Sequence, residues 1–356
     1  MELSIKNRIE WDIGTAYDFF VSLWALHEPG RLGLRGSWAA GVRSRLSGPD
    51  REILQRAMPL VRPMRWTYSL PAPKNAQTAL DELRAMDPEA RLLALMPETP
   101  PQITSIWRDL AARSSWNEED QMRLMEEMAG GDWKKHSVTA VRKAAAEYLD
   151  LWMDPIGAAD SLLAAYQCYY DVFFAEEEPR IRPALEEGLA HAQMMAEQIQ
   201  QWDKLLEELS QGLRVTKDWE NKTLVLAPSY WGTPLAIMAD IDPDRVLFVF
   251  GARPSKESLI PGDVVPDALH QALKALADPT RLRILRYLTD EPLAPVELAR
   301  RLRLRSPTVI HHLDALRLAR LVIVTIEPEG KRYAVRPDAV EDVFSLLNNF
   351  LVGRDV

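Results

Sequence analysis

Apolar residues recur at steps of three and four through most of the first 210 positions, a spacing that predicts helices. They are expected over Thr15–Leu26, Ser37–Leu46, Ala79–Met86, Pro88–Met96, Ile103–Ala112, Glu118–Met128 and Val138–Leu149, broken by Pro, Gly or capping residues. Two longer helices follow, over Ala158–Ala175 and Pro183–Ser210. In the second, Leu185, Leu189, Ala192, Ala196, Ile199, Leu206 and Leu209 form a short heptad-like seam, which suits packing inside a helical domain or dimerisation. The pattern then changes to short β-rich runs, Leu213–Thr216, Thr223–Ala227, Leu235–Ala239 and Val246–Phe250, separated by Trp219–Asn221, Pro228–Gly232 and Asp240–Asp244. These predict a small antiparallel sheet appended to the helical region.

A third pattern occupies the C-terminal part. Asp278 is suited to cap a helix and Pro279 to open it, because the carboxylate accepts an orphan amide proton and proline donates none. Leu282, Ile284, Leu285 and Leu288 then make an apolar stripe. Pro295 opens a second short helix with Leu298, Ala299 and Leu302 inward, and Ser306-Pro307 opens a third with Val309, Leu313 and Leu316 inward. The other side of that third helix carries Ser306, Thr308, His311, His312 and Arg317, the donor-rich side chains that base edges and phosphates require. Val322–Ile326 and Lys331–Val335, turning at Gly330, complete a winged helix-turn-helix, whose Lys331 and Arg332 are placed to reach a phosphate backbone. The expected class is therefore mainly α: a large N-terminal helical domain with a small appended antiparallel sheet, and a C-terminal winged helix-turn-helix. The expected division is 1–212 helical, for sensing or dimerisation, 213–251 β subdomain, 252–266 linker, marked by Pro254, Pro261 and Gly262, and 267–356 DNA-binding.

At these residues the chain resembles the ArsR-type winged-helix repressors. The resemblance rests on Leu276-Ala-Asp-Pro-Thr-Arg281, on Glu297-Leu-Ala299 and on Thr308-Val-Ile-His-His-Leu313, and covers about seventy residues. It implies a homodimer on a palindromic operator. Arg301, Arg305, Ser306, Thr308, Ile310, His311, His312, Arg317, Lys331 and Arg332 are then the expected DNA-contacting residues. The expected dimer surface is formed by Leu269, Leu273 and Leu276 on the helix before the motif and by Val340, Val343, Phe344, Leu347 and Phe350 on the helix after it. The chain departs from the family pattern in three places: Ile310 replaces a small polar residue, Arg320 replaces the glycine that ends the recognition helix, and Glu327 and Glu329 make the wing tip acidic. The upstream region resembles, more loosely, helical domains of unknown function found ahead of such modules, through Leu32-Gly-Leu-Arg-Gly-Ser-Trp38.

Charge agrees with this reading. The whole chain is at −9, yet Asp267–Pro337 holds 13 Lys and Arg against 8 Asp and Glu, a net of +5, while residues 1–266 hold 29 against 40. Basic charge thus gathers where the motif lies.

Enzyme signatures are absent from the sequence, and none is expected: Gly30-x-x-Gly33-x-x-Gly36 follows a helix rather than a strand and reads as a loop, and Asp242-Pro-Asp244 reads as turn chemistry. Metal and cofactor are likewise not expected. The stretch Val296–Arg301, in the short helix opened by Pro295, has no cysteine, and the adjacent His311 and His312 point about 100° apart on a helix. The single cysteine, Cys168, lies in an apolar stretch and is expected to be a buried small hydrophobe. With no charged-then-apolar leader and no apolar run of about eighteen residues, neither a signal peptide nor a membrane span is expected, and the cytoplasm is the expected compartment.

All eleven tryptophans fall between Trp11 and Trp231, most of them suited to the core of the upstream region. Trp219, Tyr230 and Trp231, in expected loops, are the candidates for an exposed small-molecule site. Two functions stay open: a dimeric transcription regulator whose upstream region senses a ligand or partner, and an N-terminal enzyme or protein-interaction platform with the winged helix used for docking.

Overall fold

The computed structural model describes residues 8–34, 36–58, 60–96, 106, 109–110, 113, 115–128, 138–215, 219, 221–259, 265–327 and 330–352. The chain opens with β1 (Ile9–Trp11), α1 (Thr15–His27), α2 (Gly36–Arg43), α3 (Gly48–Ala57), α4 (Met64–Tyr68), α5 (Ala76–Ala85) and α6 (Pro88–Leu95). Next come α7 (Glu118–Met128), α8 (Val138–Met153), α9 (Pro155–Tyr169), α10 (Ala175–Gln198) and α11 (Trp202–Leu209). Then follow β2 (Leu213–Val215), β3 (Thr223–Ser229), β4 (Ile237–Asp242) and β5 (Arg245–Gly251). The last elements are α12 (Asp267–Leu276), α13 (Pro279–Asp290), α14 (Pro295–Leu302), α15 (Ser306–Leu318), β6 (Val322–Glu327), β7 (Gly330–Val335) and α16 (Ala339–Val352). The mainly helical class holds. Most of the expected helix Ile103–Ala112 lies outside the described residues.

Contacts divide the chain into two compact units, along other lines than the expected domains. One holds Thr15–His27 and Ala40–Pro179; the other holds the described residues among 1–14, Glu28–Ala39, and the described residues from Arg180 onward.

In the first unit α1 is buried almost all round, from Thr15 to Leu26. A helix apolar on every side is what a core helix requires. Phe19 meets the rings of Phe20, Tyr166, Tyr169 and Phe174 at centroid distances of 5.1, 6.1, 5.7 and 5.3 Å. Tyr169 donates its hydroxyl proton to Ser22 Oγ at 3.0 Å, and Glu178 accepts from the Thr15 hydroxyl and from the Ala76 amide, whereas the buried Tyr166 hydroxyl has no hydrogen-bond partner among the described residues. Cys168 is half-buried rather than enclosed.

The expected break between Ala175 and Pro183 does not occur. α10 runs through both Pro179 and Pro183, and the break falls later, at Ile199–Gln201. Each proline forfeits one backbone hydrogen bond, and burial of Ile181, Ala184 and Leu185 beside them offsets that loss. The heptad-like seam is interrupted by the later break, and its Ala192, Ala196, Leu206 and Leu209 belong to the core of their own chain.

In the second unit the sheet has the order β1-β3-β5-β4. The antiparallel expectation is corrected: β1 runs parallel to β3 (Ile9↔Leu224) and β3 parallel to β5 (Thr223↔Arg245), with β4 alone antiparallel to β5 (Met238↔Phe248). The reason lies in burial. Leu224–Ala227 and Val246–Phe250 are buried on both faces, as the interior strands of a parallel sheet are, rather than on alternate residues. β2 belongs to a different sheet, of order β2-β6-β7, where Leu213 pairs with Val324 in parallel. Gly212 makes the approach possible. Its φ is 116°, its carbonyl accepts from Val324 N at 2.8 Å, and a Cβ there would lie 3.2 Å from the Val322 carbonyl oxygen.

One core serves both sheets. Leu205 and Leu209 of α11, Leu226, Phe248 and Phe250 of the larger sheet, and Ala272, Ile284, Leu313 and Val324 of the winged helix form a single buried cluster. The described part of the expected linker is packed as well. Ala252 N donates to Ser229 O at 2.8 Å, Arg253 N to Thr233 Oγ1 at 3.0 Å and Leu259 N to Asp267 Oδ2 at 2.7 Å.

Candidate nucleic-acid interface

Each helix of the winged module starts and stops on a local signal. Asp278 Oδ1 accepts from Thr280 N at 2.8 Å and from Arg281 N at 3.0 Å. Those amides, with the Arg281 charge, hold its carboxyl below the usual carboxylate range. Arg281 also donates to the carbonyls of Ala275 (2.9 Å) and Lys274 (2.7 Å), closing the end of α12. Glu297 Oε2 accepts from Ala294 N at 2.7 Å to open α14, which ends at Arg303 in left-handed conformation, φ 56°. Three residues later α15 begins.

Val309, Leu313 and Leu316 of α15 are fully buried, as expected of a recognition helix packed on its module. Thr308, Ile310 and His311 are exposed on the other side, Arg305 is exposed at the N-cap, and Ser306 is half-buried. Arg300, Arg301 and Arg303 are exposed nearby. This assembles a basic face at a helix N-terminus, with an apolar methyl-bearing side chain, Ile310, among the donors.

Four of the expected DNA contacts sit otherwise. His312 is half-buried with Nδ1 4.0 Å from Asp278 Oδ1, and burial lowers its pKa. Arg317 is half-buried beside Tyr333 and Asp314, and burial lowers its pKa too. Arg332 spans Pro292 O at 3.0 Å, Glu297 at 3.4 Å and Glu327 at 3.4 Å, so it straps the wing to α14. Arg301 pairs with Glu291 at 2.6 Å and lies 5.9 Å from the Tyr287 ring centroid, while remaining exposed. Lys331 is exposed on β7; Glu329 of the wing tip lies outside the described residues.

The expected dimer residues divide the same way. Leu269 and Val343 are buried within the chain, a correction that follows from the packing of α12 on α16. Leu276 and Leu347 are half-buried, and Leu273, Val340, Phe344 and Phe350 are exposed, Phe344 at 63%. Leu351, 71% exposed, and Val352 extend this apolar surface beyond the expected set. Their signal was present in the sequence as the continuation of the same run.

Trp219, Tyr230 and Trp231 are buried, so the exposed site expected there is corrected. The loops fold inward: Trp219 lies against Trp202 (6.0 Å between centroids) and Trp231 against Trp38 (5.1 Å). Tyr230 donates to Glu257 Oε2 at 2.8 Å and accepts from Arg180 Nη1 at 2.9 Å, and burial pushes its hydroxyl up to about 12. The Gly30–Gly36 stretch forms a 3-10 turn, Pro29–Leu32, and a left-handed Gly33 (φ 73°), whose carbonyl accepts from Gln271 Nε2 on α12. A Cβ at Gly33 would lie 2.8 Å from that nitrogen. Asp242 accepts from Asp244 N at 2.9 Å and from Arg245 Nε at 2.8 Å, the turn role expected of it. Among the described residues, no helix is long and apolar enough to cross a membrane, and no three His, Cys, Asp or Glu side chains gather as a metal set.

Residues 276–325 match the family described as "Helix-turn-helix domain". The chain is 46% identical over 68 residues to the HTH-type transcriptional regulator CmtR of Mycobacterium tuberculosis, a stretch equal to 19% of this chain and 58% of that protein. It is 40% identical over 82 residues to the HTH-type transcriptional regulator Rv2034 of the same organism, covering 22% of this chain and 75% of the relative. The solved structure of NolR from Sinorhizobium fredii is 29% identical, covers 23% of this chain and 83% of its own, and has a TM-score of 0.20. The span shared with CmtR is thus little more than half of that protein, whereas Rv2034 is matched over three quarters of its length. By that shared module, the chain belongs to the helix-turn-helix transcriptional regulators.

Proposed function

We propose that this regulator is a cytoplasmic homodimeric repressor of the ArsR-like kind, bound to a palindromic operator, whose residues before 267 sense a small molecule or partner and alter the spacing of the two recognition helices. The observation that carries the reading is the two-sidedness of α15: a fully buried Val309, Leu313 and Leu316, and an exposed Arg305, Thr308, Ile310 and His311. The exposed apolar side of α16 supports the homodimer. No catalytic step is assigned to the chain.

Fluorescence anisotropy on duplexes from the protein's own upstream region tests it. Tight binding should weaken steeply with salt, and Arg305→Ala should weaken all sequences alike while reducing the salt slope by about 1. Thr308→Val and His311→Ala should instead lower the preference for cognate over scrambled DNA. Binding that is absent, or indifferent to salt, sinks the proposal.

A further inference from the structure

Between the larger sheet and the winged helix lies a small open pocket lined by Arg253, Ser255, Glu257, Asp267, Gln271 and Arg320 among others, with a volume of about 10 Å³. That is room for one water-sized polar group, the rest of any ligand staying in solvent. Arg253 is 9% exposed and its Nη1 has no hydrogen-bond partner. The nearest acid, Asp267 Oδ2, stands 3.5 Å away and already accepts from Leu259 N. The other carboxylate of the pocket, Glu257, accepts from Tyr230. Arg320 donates to Ser255 Oγ at 3.3 Å, and no carboxylate among the described residues forms an ion pair with it. Its charged neighbours are Arg253 and Arg336, and Arg336 is itself held by Asp342. Burial and those two like charges pull the Arg320 pKa down to about 10. The lining thus holds two guanidiniums and two carboxylates, and with both carboxylates already engaged a buried donor of Arg253 is left open and Arg320 is left without a counter-ion among the described residues.

The backbone adds an independent observation. Arg320 stands at φ 56°, two residues beyond α15, in the left-handed region where glycine carries no penalty. Arg303 ends α14 at the same φ, so the angle itself closes a helix; what is particular to position 320 is that a non-glycine side chain there lines the pocket.

We propose that Arg253 and Arg320 bind an oxyanion, the carboxylate or phosphate group of a small effector, and that the end of the recognition helix registers its presence. The Arg320 carbonyl accepts from Arg336 Nε at 2.7 Å, so a ligand held by the guanidinium fixes the junction of α15 with the segment leading to α16. The regulatory half of this proposal rests on the DNA-binding reading; the binding half does not.

The test is a thermal-shift titration of the full chain with inorganic phosphate, and separately with acetate, each against chloride at matched ionic strength. A saturable rise of about 2–4 °C in at least one series is expected. A rise with phosphate alone assigns a phosphate group, and with acetate alone a carboxylate. Absence of a saturable rise in both overturns the site. Arg320→Gly, which suits the backbone, and Arg253→Gln should each abolish the rise, and an unchanged rise in either folded variant places the ion elsewhere and overturns the proposal; should Arg253→Gln not fold, Arg320→Gly decides. The effective anion should also change DNA affinity at least about threefold in the parent protein and not in Arg320→Gly. Saturable binding with unchanged DNA affinity overturns the regulatory half alone, whereas a chain that binds no DNA refutes the regulator reading and leaves the anion site to the melting data.

Discussion

Arg320 shows how much a single backbone angle carries. In left-handed geometry its Cβ crowds the following carbonyl, a penalty of roughly 1–2 kcal/mol that glycine escapes, although glycine also gives back unfolded-chain entropy. The Arg320→Gly variant should therefore be more stable than the parent in chloride buffer, by about 1 kcal/mol, as read by urea unfolding; a variant that is less stable would mean the guanidinium contributes more to packing than the angle costs. The departure from the family glycine was visible in the sequence. Its partners, Ser255 and Arg253, were not, because they approach from a segment that composition marked as linker. Trp219, Tyr230 and Trp231 erred in the opposite sense: turn residues around them announced loops correctly, but chain composition does not say whether a loop folds over a core.

The helices of the winged module were legible because their signals are local. Asp278 before Pro279, Glu297 three residues after Ala294, and apolar steps in α15 each act within one turn, so no distant residue was needed to read them. Asp278 also sets a pH dependence. Its folded pKa lies below its unfolded value, so the cap contributes fully above the ordinary carboxylate range, about 4, and is lost as pH falls through the folded value. Asp278→Ala should cost about 1 kcal/mol at neutral pH, and the gap between parent and variant should narrow in melts below about pH 4. A gap independent of pH would show that the carboxylate charge is not what caps the helix. Strand partners were less legible. β2 pairs with β6 more than a hundred residues onward, and the parallel alignment of β3 with β5 leaves only an indirect trace, their unbroken apolar runs.

At the scale of the molecule the exposed apolar side of α16 is the feature a second copy would cover. Phe344→Glu should raise the dimer dissociation constant roughly thirtyfold, about 2 kcal/mol, measured by sedimentation or light scattering over a concentration series. A chain monomeric from the start, or one whose assembly ignores the substitution, would leave that surface for another role. The winged helix is not an independent body hung on a tether, since Phe248 and Phe250 of the larger sheet share a core with Ile284 and Leu313. A fragment of residues 267–356 should accordingly melt earlier and less cooperatively than the full chain, by calorimetry, because it loses β2 and the sheet side of that core. A fragment melting like the parent would contradict the shared core.

That shared core bears on how such a regulator can be recombined. Exchanging DNA-reading modules between regulators works where the seam crosses few contacts, and here a seam at the Pro-rich stretch after Gly251 would cut through buried phenylalanines and strip β6 of its neighbour. A transferable cassette has to start near Arg180, upstream of α11, to keep β2–β5 with the winged helix, and it still leaves behind β1 and Glu28–Ala39, which belong to the same unit. Gene fusions and chimaeric reporters built on this chain should respect that larger portable block, even though the family resemblance spans barely a fifth of the sequence.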